Sequence, residues 1–269
     1  MEDLLLQEAN GVASITLNRP EAGNAMTPAM RDQIVLWLRD LSASYTARAV
    51  VITGAGEKGF CTGADLRAPR AAPAKPQGAP ERVMGDGARM IQRGWQRLVS
   101  AVLDCEKPVI AGVNGTAAGG GCHLALACDL VIMAEEARFI EVFVRRGIIP
   151  DAGGCYLLPR LIGPQKAKEL MFFGDDVSAP EAEKIGLVNR VVPRADLEKT
   201  VAEWAERLAT LPTKSIGMTK ALINRSFESS RPTALAEEAW AQELINGTQD
   251  AREGMMSFVE RRSPEFKGW

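Results

Sequence analysis

The sequence predicts an α/β fold with a helical carboxyl-terminal tail. Near the amino terminus, strand-like runs and one amphipathic run follow each other in the order β, β, α, β. Further on, apolar runs pass into glycine-rich loops that open onto helical spacing, as in Ile110 to Asp129, IAGVNGTAAGGGCHLALACD. From Asp196 onward no strand signal remains, and the tail reads as helix alone.

Leu4 to Gln7 and Val12 to Leu17, separated by Glu8 to Gly11, form a hairpin pattern that Asn18-Arg19-Pro20 ends. Thr27-Pro28 is a helix cap followed by proline at the first helical position, and Met30, Ile34, Trp37, Leu38 and Leu41 recur at helical spacing. Ala49 to Thr53 is a short β-branched strand. Gly54 to Asp65, GAGEKGFCTGAD, leaves it as a glycine-rich loop without the glycine-lysine-Ser/Thr ending of a Walker phosphate loop. Arg67 to Pro80, RAPRAAPAKPQGAP, is too rich in proline and alanine to pack and reads as a surface loop. It is either a tolerated insertion or a flap carrying Arg67, Arg70 and Lys75 toward an anionic ligand.

Val83 to Asp104 has the spacing of one long amphipathic helix, with Met90, Trp95, Leu98 and Val102 on it. Strands at Pro108 to Gly112 and Leu130 to Ala134 flank the triglycine helix. Beyond the turn Gly147-Ile148-Ile149-Pro150, one helix begins near Asp151 to Gly154 and another runs from Gln165 to Phe172. Ser178 and Glu181 make a capping box, and Val188 to Val192 is the last strand. Four helical runs follow: Asp196 to Leu208, Thr213 to Phe227, Thr233 to Ile245 and Asp250 to Arg261. The division expected is a core over residues 1–195 and a helical domain over 196–269.

Composition narrows the function. The 269 residues, 46% hydrophobic, can bury one large core or a core plus an appendage. A net charge of -2 gives no general pull toward nucleic acid or acidic membranes. No apolar run approaches the roughly 20 residues that span a bilayer, and the start lacks a signal-peptide pattern, so a cytoplasmic protein is expected. Five cysteines without zinc-type pairs read as buried free thiols. His123 is the single histidine, which leaves almost no room for a metal site or a Ser-His-Asp triad elsewhere.

The triglycine segment is a helix amino terminus with unpaired N–H groups, a positive dipole end and no side chains to block approach. It should attract negative charge, either a fixed phosphate or an oxyanion formed during reaction.

Six stretches together resemble the crotonase superfamily, the enoyl-CoA hydratase/isomerase family: NRPEAGNAM (Asn18 to Met26), VVITGAGEKGFCTGADL (Val50 to Leu66), KPVIAGVNGTAAGGGCHLALACDL (Lys107 to Leu130), IIPDAGGCYLLPRLIG (Ile148 to Gly163), APEAEKIGLVNRVVP (Ala179 to Pro193) and EGMMSFVERRSPEFKG (Glu253 to Gly268). The resemblance implies a ClpP-like spiral of β-β-α repeats with a carboxyl-terminal helical trimerisation domain, assembled as a homotrimer or a dimer of trimers. It implies an acyl-CoA substrate, no metal and no cofactor beyond the CoA thioester itself. The enolate of that thioester would be held by the backbone N–H groups of Ala64 and Gly120, an oxyanion hole. Asn24, Ala25 and Met26 would line the CoA channel, with Arg67 near phosphate and Phe266 or Lys267 reaching in from the tail, including from a neighbouring copy.

The resemblance also shows two departures. Family hydratases carry glutamates where this chain has His123 and Phe143, and phenylalanine cannot exchange a proton. Asp151, in IIPDAGG, looks like the acid/base of the isomerase branch that includes ring-epoxide and unsaturated phenylacetyl-CoA isomerases; the other reading is a cap for the helix beginning at Ala152. His123 sits where a helix dipole favours a neutral ring, either as a second catalytic group or as a hydrogen-bonded packing residue. Glu141 either replaces the missing carboxylate or is a solvated surface charge. Three functions follow: isomerisation of an unsaturated acyl-CoA through Asp151, hydration or hydrolysis through His123, and acyl-CoA binding without turnover.

Overall fold

A computed structural model describes residues 2–68, 74–81 and 83–269. Arg70, one of the basic residues expected on a flap, lies outside the described residues. The hairpin is present as β1 (Leu4–Ala9) and β2 (Val12–Leu17), turned through Asn10 and Gly11, both in the left-handed region. Thr27 caps α1 (Pro28–Ala43) by accepting from the Met30 N–H, and the apolar spacing buries Met30, Ile34, Leu38 and Leu41.

Three β-β-α turns then follow. The first comprises β3 (Ala49–Gly54), β4 (Gly59–Cys61), α2 (Asp86–Ile91) and α3 (Arg97–Leu103). The second comprises β5 (Val109–Val113), β6 (Thr116–Ala118) and α4 (Gly120–Ala127). The third comprises β7 (Leu130–Ala134), β8 (Arg138–Ile140) and α5 (Gly154–Phe173). Next come β9 (Asp176–Ser178), α6 (Ala179–Lys184) and β10 (Arg190–Val192), and Ser178 caps α6 from the Glu181 N–H as the capping box predicts. The first strand of each turn enters a six-stranded sheet ordered β1-β2-β3-β5-β7-β10; the second enters a four-stranded sheet ordered β4-β6-β8-β9. Among the described residues, the hairpin β1–β2 and the pair β8–β9, which α5 separates in the chain, are antiparallel; every other strand pair is parallel, as helical crossovers permit. This is the α/β spiral that the resemblance implies.

The four-stranded sheet was not expected from the sequence. The long helix expected over Val83 to Asp104 is also corrected: it starts at Asp86 and is broken at Gly94, whose φ of -100° and ψ of -110° leave helical space. A Cβ on Gly94 would lie 2.7 Å from Arg31 Nη1, so the break lets the α1 guanidinium pack against the backbone. α5 is two helices joined at Gly163 (φ 75°), in line with the two helices expected there.

The tail consists of α7 (Arg194–Ala209), α8 (Thr213–Ser226), α9 (Arg231–Asn246) and α10 (Gln249–Glu260). α7 buries Leu197, Val201 and Ala205 on β3, β5 and β7. A buried ion pair ties α8 to the core, Lys220 Nζ lying 2.8 Å from Asp129 Oδ2 and donating also to the Val102 carbonyl. Large apolar side chains on α9 and α10 remain uncovered, among them Trp240, 72% exposed, and Phe258, 85% exposed. Among the described residues, no helix is long and apolar enough to cross a membrane.

Candidate active site

The parallel pairing of β4 with β6 puts the CTGAD loop beside the triglycine turn. Gly63 (φ 93°) faces that turn so closely that a Cβ on it would lie 3.0 Å from the Ala118 carbonyl and 3.6 Å from the Gly120 nitrogen. The loop is fixed on its other side by Met26, whose N–H donates to the Gly63 carbonyl (2.8 Å) and whose carbonyl accepts from the Asp65 N–H (3.0 Å). Between those bonds the Ala64 N–H has no acceptor among the described residues. The Gly120 N–H, in the first turn of α4, is likewise without one. Both residues line one cavity of about 360 Å³.

Asp65 and Arg19 hold this loop from below. Arg19 donates to Asp65 Oδ2 (2.9 Å) and to the Ala25 carbonyl (2.7 Å). The Arg67 N–H bonded to Asp65, and then Arg19, hold the carboxyl below the usual aspartate range. Behind the loop, burial pushes the Cys61 thiol up to about 12, which leaves it no nucleophilic role.

Trp95, Phe143 and Asp151 line the same cavity. Trp95 follows the break at Gly94 and lies across Gly120, where a Cβ would come 2.8 Å from the indole. Asp151 is half-buried in the wall, and its carboxylate has no hydrogen bond or ion pair among the described residues. It does not cap the following helix, which starts at Gly154 on Gly153 (φ 85°) with no side-chain cap. The capping reading is thereby set aside.

Several expected site residues lie elsewhere. His123 is fully buried and does not line the cavity; Phe143 stacks on it, ring centroids 5.2 Å apart, on the cavity side. Glu141, expected as a surface charge or a substitute catalytic carboxylate, is neither: it is 3% exposed and accepts from His123 Nε2, 3.1 Å from each carboxylate oxygen. Asn24 is fully buried and donates to the Ala55 and Gly59 carbonyls, and Ala25 is buried beside it, so of the three only Met26 reaches the cavity. Arg67 is exposed and lies 3.7 Å from Asp65, outside the cavity lining. Lys75 turns to Asp86 and to the carbonyls of its own loop instead of the cavity. Phe266 packs near Gly254 and Lys267 pairs with Glu265; neither lines the cavity of its own chain.

Trp95, expected only as an apolar helix residue, and Arg31 and Arg146, which the sequence did not single out, line the cavity. A glycine interrupting helical spacing immediately before a tryptophan was the available signal for the first. Arg31, within the helical spacing after Pro28, and Arg146, just before the Gly147 turn, carry no such signal. A second cavity, between α5 and α8, is lined mainly by apolar side chains, and its Asp129 and Lys220 are already paired with each other.

The family model described as enoyl-CoA hydratase/isomerase matches residues 7–269. The 1,2-epoxyphenylacetyl-CoA isomerase of Escherichia coli is 38% identical, over 100% of this chain and 99% of that protein. The crotonyl-CoA hydratase of Syntrophomonas wolfei is 35% identical, over 98% of each. Among solved structures, an enoyl-CoA hydratase from Bacillus anthracis superposes with a TM-score of 0.89 at 35% identity, covering 100% of both chains.

Proposed function

Because the chain belongs to the enoyl-CoA hydratase/isomerase family, we propose that it is an isomerase that moves a double bond in an unsaturated acyl-CoA. The observation supporting this reading is the carboxylate of Asp151, without a partner among the described residues, in the same cavity as the unpaired N–H groups of Ala64 and Gly120, with Phe143 in the wall and the other lining carboxylates, Asp32 and Asp65, paired with Arg31 and Arg19. In this reading the thioester oxygen accepts from both N–H groups. Asp151 removes a proton from the carbon next to the thioester of a 3-enoyl-CoA, the electron pair spreads into a dienolate, and the same carboxyl returns the proton at the far carbon. Nothing is added or lost, so one carboxyl serves both proton steps and no cofactor is required. Each preorganised donor contributes about 3 kcal/mol to the charged intermediate, since it need not reorient as charge develops. The Escherichia coli relative carries an isomerase name and the Syntrophomonas wolfei relative a hydratase name, so the choice rests on Asp151 and Phe143.

Met26 and Leu66 supply apolar lining for the pantetheine arm, and Arg67, exposed next to Leu66 outside that lining, is the group offered to phosphate. Phe266 and Lys267 reach this channel only from a neighbouring copy. A homotrimer, or a dimer of trimers, would cover the apolar residues left open on α9 and α10; sedimentation equilibrium of the purified chain tests it, and a monomer at micromolar concentration refutes it.

The deciding experiment compares the parent chain with Asp151→Asn on a 3-enoyl-CoA, following the conjugated 2-enoyl product by absorbance, and on a 2-enoyl-CoA in water. Loss of isomerisation with acyl-CoA affinity retained is expected. Unchanged isomerisation in the variant, or hydration by the parent faster than isomerisation, overturns the proposal.

A further inference from the structure

His123 and Glu141 are buried ionisable side chains beside the cavity that the proposed reaction does not use. They join two segments. His123 lies in the first turn of α4, three residues after Gly120, and its backbone N–H bonds to the Gly119 carbonyl (3.1 Å). Glu141 directly follows β8, whose last carbonyl, on Ile140, accepts from the Gly119 N–H (3.0 Å). The side-chain bonds from His123 Nε2 to both Glu141 oxygens therefore close a ring around the triglycine turn.

The surroundings leave this ring little freedom. Cys122, also in the first turn, neighbours the carboxylate: burial, and then the charge and hydrogen bonding of Glu141, push its thiol well above the usual range, so it stays protonated. Phe143 stacks on the imidazole at 12° and also comes within 3.6 Å of where a Cβ of Gly119 would be. On the far side, a Cβ on Gly154 would overlap the imidazole, so the start of α5 presses on the same ring. With its proton on Nε2, His123 leaves only a lone pair unpartnered at Nδ1. Both side chains are buried and neither lines the cavity, whereas Phe143, which stacks on the imidazole, does.

We propose that His123 and Glu141 form a clamp that fixes the first turn of α4 and the Phe143 wall as one body, making them positioning residues for the Gly120 donor. Its consequence for turnover rests on the oxyanion-hole reading above. The role explains why an ionisable pair stands in this part of the core: an oxyanion donor gains from being immobile, and a buried, charge-assisted bond resists rotation of a helix turn more strongly than apolar packing does.

The test uses the full chain with His123→Leu, His123→Gln and Glu141→Gln. Glutamine at 123 keeps a donor at the place of Nε2, whereas leucine removes it. The first readout needs no ligand: hydrogen exchange over residues 118–124 should rise several-fold in His123→Leu and stay near the parent in His123→Gln. The second is the long-wavelength shift of bound cinnamoyl-CoA at saturation, which reports polarisation of the thioester carbonyl; it should fall by about half in His123→Leu with the probe's Kd within about twofold. The third is a kcat about tenfold lower in His123→Leu and in Glu141→Gln, with KM little changed. Parent-like exchange in both His123→Leu and Glu141→Gln overturns the clamp. Equal loss of turnover in His123→Gln and His123→Leu, with one limb of the pH profile gone, overturns it in favour of proton transfer by His123. Failure of the isomerase reading is seen separately, as absent turnover or absent spectral shift in the parent, and exchange still decides the clamp.

Discussion

The two helix amino ends that meet at the cavity are built differently. α4 is buried along all its residues, and its neighbours fill the space of each missing side chain: Trp95 lies on Gly120, the Cys61 carbonyl on Gly121, and Glu141 holds His123. Both helices start on a positive-φ glycine with no side-chain cap, but the carboxylate just ahead of α5, on Asp151, has no partner among the described residues. The contrast matches the work proposed for each end. A donor that stabilises developing charge is most effective when it cannot move, while a carboxyl that takes a proton from one carbon and delivers it to another needs freedom to swing between them. Stability and activity should therefore be coupled at α4 and separable at α5.

The largest effect is expected at the free end. Asp151→Asn should lower isomerisation by about 10³-fold or more, the usual contribution of a positioned acid/base, while thermal unfolding of the variant stays near that of the parent because no bond is broken. A variant that loses stability along with activity would show that Asp151 is tied into the structure after all, and the contrast between the helix ends would collapse.

Gly121→Ala addresses the fixed end. Its Cβ would fall inside the Cys61 carbonyl oxygen, a backbone atom that cannot swing aside, so β4 and α4 must separate. A loss of about 3 kcal/mol in denaturant unfolding is expected, together with lower activity. Gly120→Ala should cost less stability, since its Cβ meets the Trp95 indole, and the tryptophan can shift on the broken α2–α3 connection. If the two alanine variants are equally stable, the helix start is looser than its packing implies.

Legibility in the sequence followed the same division between local and distant causes. The hairpin, the Thr27 and Ser178 caps, the main-sheet strands and the four tail helices declared themselves through periodicity and capping within a few residues. The strands Gly59–Cys61, Thr116–Ala118, Arg138–Ile140 and Asp176–Ser178 did not, because three residues hold no detectable alternation and exist only through pairing with distant partners. At the site, the glycine loops were visible as motifs, and the resemblance pointed to Ala64, Gly120 and Asp151, which share the cavity. The burial of Glu141 was not legible: a glutamate reads as surface until its partner, His123 on another element, is brought to it. Asn24 failed in the same way, its amide serving backbone carbonyls of a loop about thirty residues further on.

The smallest effect concerns the anchor beneath the Ala64 loop and depends on pH. Asp65 has its carboxyl held below the ordinary range, first by the Arg67 N–H and then by Arg19, so folding favours its ionised form. The stability it contributes is complete above the unfolded aspartate value of about 3.9 and is lost as pH falls through the lower folded value. Asp65→Asn should therefore unfold at a lower temperature than the parent at pH 7, and the two should converge as the pH is taken below about 4. Because the anchor holds the side of the oxyanion hole opposite α4, the same variant should lose activity at pH 7 while hydrogen exchange over residues 118–124 stays unchanged. Increased exchange there would mean that the two halves of the hole are held by a single network rather than by separate anchors.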